Sequence, residues 1–183
     1  MASIITATTT SGLTQSADNS GVLQLASGTG NLVTVPSVTG TAMVSGNMPA
    51  FSAYQSSNQT LSSTTWTKLQ FQTEEFDTAN CFDNATNYRF TPNVAGYYQV
   101  SGGLLVNSSA TSIRLNIYKN GSAFKNLALT NTSLVSGIYS SALIYLNGTT
   151  DYVELYGYLT TGQDLDAASA SNIYFQAAMI RGA

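Results

Sequence analysis

The chain contains no histidine, which removes the commonest general base and the commonest zinc ligand. Ser-His-Asp and Cys-His catalysis are excluded with it. A single cysteine, Cys81, excludes an intrachain disulfide and, with no histidine beside it to lower its pKa, reads as a small packing residue. Charge is scarce as well: 8% of the 183 residues are charged, against about 25% in an ordinary globular chain. The basic residues Lys68, Arg89, Arg114, Lys119, Lys125 and Arg181 are scattered along a chain of net charge −3. No basic cluster is therefore offered to a nucleic acid or to an anionic membrane surface. Nothing approaches the roughly 20 apolar residues of a membrane span, and Met1-Ala2-Ser3-Ile4-Ile5-Thr6 lacks the basic and apolar regions of a signal peptide. Synthesis and assembly in a cytoplasm is the expected route.

What the chain does have is polar bulk and aromatic rings. Ser, Thr, Asn and Gly abound, hydrophobic residues reach 43%, and 11 Tyr and 7 Phe are concentrated after Met48. A disordered chain is usually rich in charge and poor in aromatics, so the later part folds. Residues 1–47 differ, with no aromatic residue and one charge, Asp18. Two short β-like pieces stand out there, Val22-Leu23-Gln24-Leu25 and Leu32-Val33-Thr34-Val35, separated by a turn-rich Ala26-Ser27-Gly28-Thr29-Gly30. Alone such a hairpin is marginal in water. Interlocked with neighbouring chains it could bury Leu23, Leu25, Val33 and Val35; the alternative is a disordered linker.

From Phe51 onward strand follows strand. Ser112 to Lys119 alternates, Ile113, Leu115 and Ile117 against Arg114, Asn116 and Tyr118, the period of a half-buried strand. Asn120-Gly121 supplies the left-handed residues of a tight hairpin, with Ala123 to Leu129 as the return strand. Leu143 to Leu146 ends at Asn147-Gly148. Tyr152 to Leu159 alternates again, Val153, Leu155 and Leu159 against Tyr152, Glu154, Tyr156 and Tyr158. A row of three tyrosines exceeds what a solvated strand needs, and cover by another subunit is expected. Asn172 to Ile180 closes the domain. With no amphipathic helix in view, the pattern is an all-β sandwich or jelly roll.

The segment from Phe82-Asp83 through Tyr88-Arg89-Phe90-Thr91-Pro92 to Gly96-Tyr97-Tyr98 resembles the central signature of the C1q-like domain of the C1q/TNF superfamily. Further landmarks fall in order: Ala50-Phe51-Ser52-Ala53 at the start, Lys119-Asn120-Gly121 in the middle hairpin, Leu146 to Val153, and Phe175 to Ile180 at the end. Asn147-Gly148-Thr149-Thr150-Asp151 departs by spreading the family's Gly-Asp pair, and Ala177 stands at or beside an expected glycine. The resemblance covers about residues 50–182 and implies a ten-stranded jelly roll assembled as a trimer. Ser16 to Leu25 resembles the low-charge segments preceding C1q-like heads in bacteriophage virion proteins, whether tail fibres or capsid decorations; the glycine period of a collagen stalk is absent.

Two acidic clusters remain, Glu74-Glu75-Phe76-Asp77 with Asp83, and Asp164-Leu165-Asp166. Paired carboxylates serve glycoside hydrolysis or calcium binding. Neither cluster has the spacing of a known calcium loop, so solvated loop charge is the expectation, with calcium as the alternative and no other cofactor. Asn-x-Ser/Thr triplets begin at Asn58, Asn84, Asn107, Asn120, Asn131 and Asn147, as chance produces in such a composition.

The sequence therefore predicts a non-enzymatic, homotrimeric virion protein: an attachment arm over 1–47 and a jelly-roll head over 48–183. The trimer contact is expected at Tyr152, Tyr156 and Tyr158, and arm docking to other virion proteins at Leu23, Leu25, Val33 and Val35. Partners beyond the virion are a host-surface glycan or protein; the alternative is a soluble C1q-like recognition module.

Overall fold

The computed structural model describes residues 23–26, 32–35, 46, 48–110, 112–130 and 135–183. The chain divides into two compact units, Met1–Thr41 and Ala42–Ala183. In the first, β1 (Leu23–Ala26) and β2 (Leu32–Val35) pair antiparallel. Leu23 stands opposite Val35 and Leu25 opposite Val33, which puts the four apolar positions on one face of the ribbon.

The second unit is built of strands, and no α-helix occurs among the described residues. In chain order these are β3 (Ala50–Tyr54), β4 (Thr60–Leu61), β5 (Thr67–Lys68), β6 (Thr73–Asp77), β7 (Phe82–Asp83), β8 (Arg89–Phe90) and β9 (Gly96–Ala110). Then follow β10 (Ile113–Lys119), β11 (Ser122–Thr130), β12 (Val135–Leu146), β13 (Val153–Leu159), β14 (Gln163–Asp164) and β15 (Tyr174–Gly182). A five-stranded sheet runs β12-β9-β15-β3-β6, and a six-stranded sheet runs β11-β10-β13-β8-β7 with β5 also on β13. The strands of both sheets pair antiparallel throughout. The result is a jelly-roll sandwich. Among the described residues its two sheets hold eleven strands where the resemblance implied ten; the stretch between β3 and β9 contributes the two-residue β5, β7 and β8 beside the five-residue β6, while β4 and β14 form a separate short ladder.

The alternation in the sequence fixes which side of each strand faces the core. Ile113, Leu115 and Ile117 on β10 and Val153, Leu155 and Leu159 on β13 are fully buried. Phe51 of β3 stacks on Phe82 and Phe90 at 4.5 and 4.7 Å between ring centres and meets Phe175 edge-on at 5.0 Å. These rings join the sheets. Gly102 faces inward, and an added Cβ there would lie 2.2 Å from a Leu155 methyl. The missing side chain is what admits Leu155 to the core.

Two turns set the corners. Asn120 and Gly121 have φ of 53° and 78°, the left-handed pair of a two-residue hairpin, joining β10 to β11 as the sequence predicted. Asn147-Gly148 opens a longer loop, in which Asn147 Oδ1 accepts from the backbone N–H groups of Thr149, Thr150 and Asp151. Asp151 ties the two corners: it accepts from the Asn120 amide at 2.8 Å and pairs with Lys119 at 2.8 Å. β12 begins at Val135, well before the expected Leu143. Its first half, Gly137-Ile138-Tyr139-Ser140-Ser141-Ala142, is too small and polar to announce a strand, and is held by its pairing with β9.

Candidate functional site

Two outward faces carry the candidate chemistry. On the six-stranded sheet, β13 sets Glu154, Tyr156 and Tyr158 on its outer side, beside Tyr118, Asn116 and Arg114 of β10, with Tyr152 just before the strand. The three tyrosines share the face that the sequence assigned them, but each is partly covered by its own chain. Tyr118 stacks on Tyr156 at 3.8 Å, Trp66 lies 5.3 Å from Tyr158, and the guanidiniums of Arg89 and Arg114 sit 4.4 and 5.1 Å from the rings of Tyr152 and Tyr158. Glu154, 3% exposed, is paired with Lys68. Burial, with Glu154 nearby, pushes the Tyr156 phenol pKa up.

The five-stranded sheet presents a barer face. Tyr139, Leu143 and Tyr145 of β12, Tyr97 of β9 and Ile180 of β15 are 42 to 60% exposed. Tyr145 stands opposite Tyr97 with ring centres 5.5 Å apart. Tyr139 lies across Gly103, where a Cβ would come within 2.2 Å of its ring, and stacks near-parallel with Tyr174 at 6.0 Å. Between these groups lie Gln99, Ser101, Ser141 and Gln176, with Gln99 donating to Ser141 at 2.7 Å. Three cations border them: Arg181 stands opposite Tyr97, Lys119 Nζ lies 5.9 Å from the centre of the Tyr145 ring, and Lys125 Nζ donates to the Leu143 carbonyl. Toward the sheet edge an open recess of about 390 Å³ is lined by Ser52, Glu75, Ser169, Ser171, Tyr174 and Gln176, with Ser52 Oγ donating to Glu75 at 2.6 Å.

The acidic clusters are occupied by loop architecture. Asp83 accepts from the N–H groups of Ala85 and Thr86 and from the Asn87 amide; these bonds, the Thr86 N–H foremost, lower its pKa to about 2. Asp77 accepts from Ala79 and Phe82 N–H, Asp164 from the Thr60 hydroxyl, and Asp166 from Ala168 N–H. Asp151 is held below the usual carboxylate range, first by the Asn120 amide and then by Lys119. Burial, with Asp77 second, raises Glu74. Among the described residues no three acidic or thiol side chains converge on a point that could hold a metal, and no helix is long and apolar enough to cross a membrane. Cys81 is buried, its thiol donates to Ala79 O, and burial pushes its pKa up, the environment of an inert thiol.

Trp66, which completes the tyrosine face, and the exposed row of the five-stranded sheet escaped the sequence reading; alternation puts Tyr118 on the outer side of its strand, but nothing local joins it to Tyr156. Tyr139, Ser141, Leu143 and Tyr145 do alternate, so the signal existed on β12; that Tyr97 and Ile180 join them depends on strand order, which no local pattern encodes.

The sequence matches no protein family and no curated protein. Among solved structures the chain is similar to murine APRIL, with a TM-score of 0.55 at 11% identity, covering 73% of this chain and 99% of that one. It is similar to the Eiger TNF of S. frugiperda, TM-score 0.54 at 10% identity, covering 74% and 93%. It is also similar to PRD1 vertex protein P5, TM-score 0.52 at 16% identity, covering 73% and 96%. Identity this low speaks to fold alone, and the fold is a TNF/C1q-like jelly roll.

Proposed function

We propose that this chain is a non-enzymatic bacteriophage virion protein, a homotrimer whose head over 48–183 is displayed on the particle as a fibre tip or capsid decoration, with residues 1–47 as its attachment arm. The observation that carries the reading is the apolar row of Tyr97, Tyr139, Leu143, Tyr145 and Ile180, left in solvent on one sheet. A contiguous apolar patch with a polar surround marks a protein contact. A three-fold assembly uses a heterologous contact that closes on itself. The trimeric habit implied by the C1q/TNF resemblance fits this, and the likeness to a vertex protein fits the placement. The trimer contact is thereby assigned to the five-stranded sheet, since Tyr152, Tyr156 and Tyr158 already carry cover from their own chain. In the arm, the shared face of Leu23, Leu25, Val33 and Val35 is assigned to docking on other virion proteins, ordering as it binds.

Deleting residues 1–46 tests the division of labour. The truncated head remains a soluble β-rich trimer with a nearly unchanged melting temperature, and mass spectrometry of purified particles no longer finds it. A truncated head that still enters particles, or one that unfolds, would reject the assignment; a full-length chain absent from particles would leave the soluble recognition module in its place.

A further inference from the structure

We infer that the outward face of the six-stranded sheet is a binding platform for an acidic saccharide, with sugar rings laid over Trp66, Tyr118, Tyr156 and Tyr158 and a sugar carboxylate meeting Arg114. The inference deepens the display reading above, since it gives the displayed head a ligand. Four rings form a continuous band: Trp66 lies 5.3 Å from Tyr158 and 6.5 Å from Tyr118, which stacks on Tyr156 at 3.8 Å. Such rings offer apolar faces to the C–H side of a sugar and hydroxyls to its rim. Asn116 stands opposite Tyr156, and Arg114 opposite Tyr158. A few convergent polar groups among aromatics are what orient a ligand in a recognition site.

The charge of the face selects an acid. Register places Lys68, Arg89 and Arg114 on it against Asp83 and Glu154, three cations against two carboxylates, so the face is net +1 on a chain of −3. Glu154 is engaged by Lys68 and the Asp83 carboxylate by its own turn. Among the described residues no carboxylate lies within ion-pair distance of Arg114. Its Nε and the Asn116 Oδ1 are shielded from solvent without a hydrogen-bond partner, and a buried unpaired polar group is a cost that a fold seldom retains without use. A guanidinium fork is the donor best matched to a carboxylate.

Trp66 is the chain's single tryptophan, so its fluorescence reports the platform alone. The test titrates the full chain with an oligogalacturonate, with a neutral malto-oligosaccharide of equal length, and with inorganic sulfate. The expected result is a saturable emission change with the acidic oligomer, with a dissociation constant of about 1 mM or below, and none with sulfate. The neutral sugar binds about tenfold more weakly. Arg114→Gln loses about tenfold in affinity for the acidic oligomer and Tyr156→Ala abolishes the response, both with unchanged far-ultraviolet circular dichroism and unchanged mass by light scattering. No saturable response to the acidic oligomer, equal binding of the neutral one, a response to sulfate alone, or an unaffected Arg114→Gln would each overturn the inference. A changed assembly mass in Tyr156→Ala would make the face a subunit contact and overturn it too. Failure of the display reading shows separately, in the particle content of the chain.

Discussion

Replacing Tyr145 by arginine is the sharpest perturbation of the proposed trimer. Tyr145 leaves 43% of its surface in solvent, and an aromatic side chain offers about 200 Å² in all, so about 90 Å² is there for a neighbouring subunit to cover. At about 25 cal/mol per Å² that is about 2 kcal/mol per subunit and about 6 kcal/mol over three. With about 1.4 kcal/mol for each tenfold, the association constant of the trimer falls by about four orders of magnitude. Burying a second cation beside Lys119, whose Nζ lies 5.9 Å from the Tyr145 ring centre, deepens the loss. Light scattering across a nanomolar to micromolar dilution series reads the effect directly. The wild type holds three times the 19.3 kDa of one chain, whereas Tyr145→Arg shows single chains throughout the range. Tyr156→Arg, on the other sheet, keeps the trimer mass. A wild type that is monomeric at micromolar concentration, or a Tyr145→Arg trimer as tight as wild type, refutes the reasoning; loss of assembly in Tyr156→Arg alone would return the contact to Tyr152, Tyr156 and Tyr158.

Two further outcomes follow from the turns. Asp83 is ionised far below its ordinary range, with a folded pKa of about 2, so its stabilisation is complete above the unfolded value near 3.9 and is lost as pH falls toward 2. The melting temperature of Asp83→Asn therefore lies below wild type at pH 6, and the gap closes by about pH 2; a gap constant across that window would contradict the assignment. Gly121 and Gly148 share a left-handed φ, but a Cβ on Gly148 would press on Ala95 N at 2.2 Å and Val94 C at 2.4 Å, while one on Gly121 meets only the Tyr152 hydroxyl at 3.4 Å. Gly121→Ala is expected to cost about 1–2 kcal/mol in urea denaturation and Gly148→Ala about 1–3 kcal/mol more; equal costs would refute the close approach.

Where a strand is half-buried and bounded by turn residues, its place could be read before any coordinates. Ile113, Leu115 and Ile117 point inward as their spacing requires, and Asn120-Gly121 makes the hairpin its side-chain chemistry demands. The Phe82-Asp83 signature acquired a cause, since Asp83 gathers the N–H groups of the turn that follows. Period-two patterns identify the two sides of a strand but not what lies above the outer one. The tyrosines looked bare in sequence because the partners that cover Tyr152, Tyr158 and Tyr156, namely Arg89, Trp66 and Tyr118, sit 63, 92 and 38 residues from them and are reached only through sheet pairing. The face on β12, β9 and β15 stayed hidden for the same reason: its members belong to three strands that become neighbours only in the folded sheet.

The position of β15 bears on how the head is made. It lies in the middle of the five-stranded sheet, with β9 on one side and β3 on the other, yet it follows every other described strand in the chain. On the ribosome, β3 and β9 wait with open edges until Tyr174–Gly182 has emerged, and Phe51 waits for Phe175. The central sheet therefore closes only once β15 has been made, and its folding is dominated by contacts between residues far apart in sequence, which slows it on the scale of small domains. Through that interval the nascent chain carries unpaired strand edges, which makes it a substrate for chaperones and a risk for aggregation at high expression.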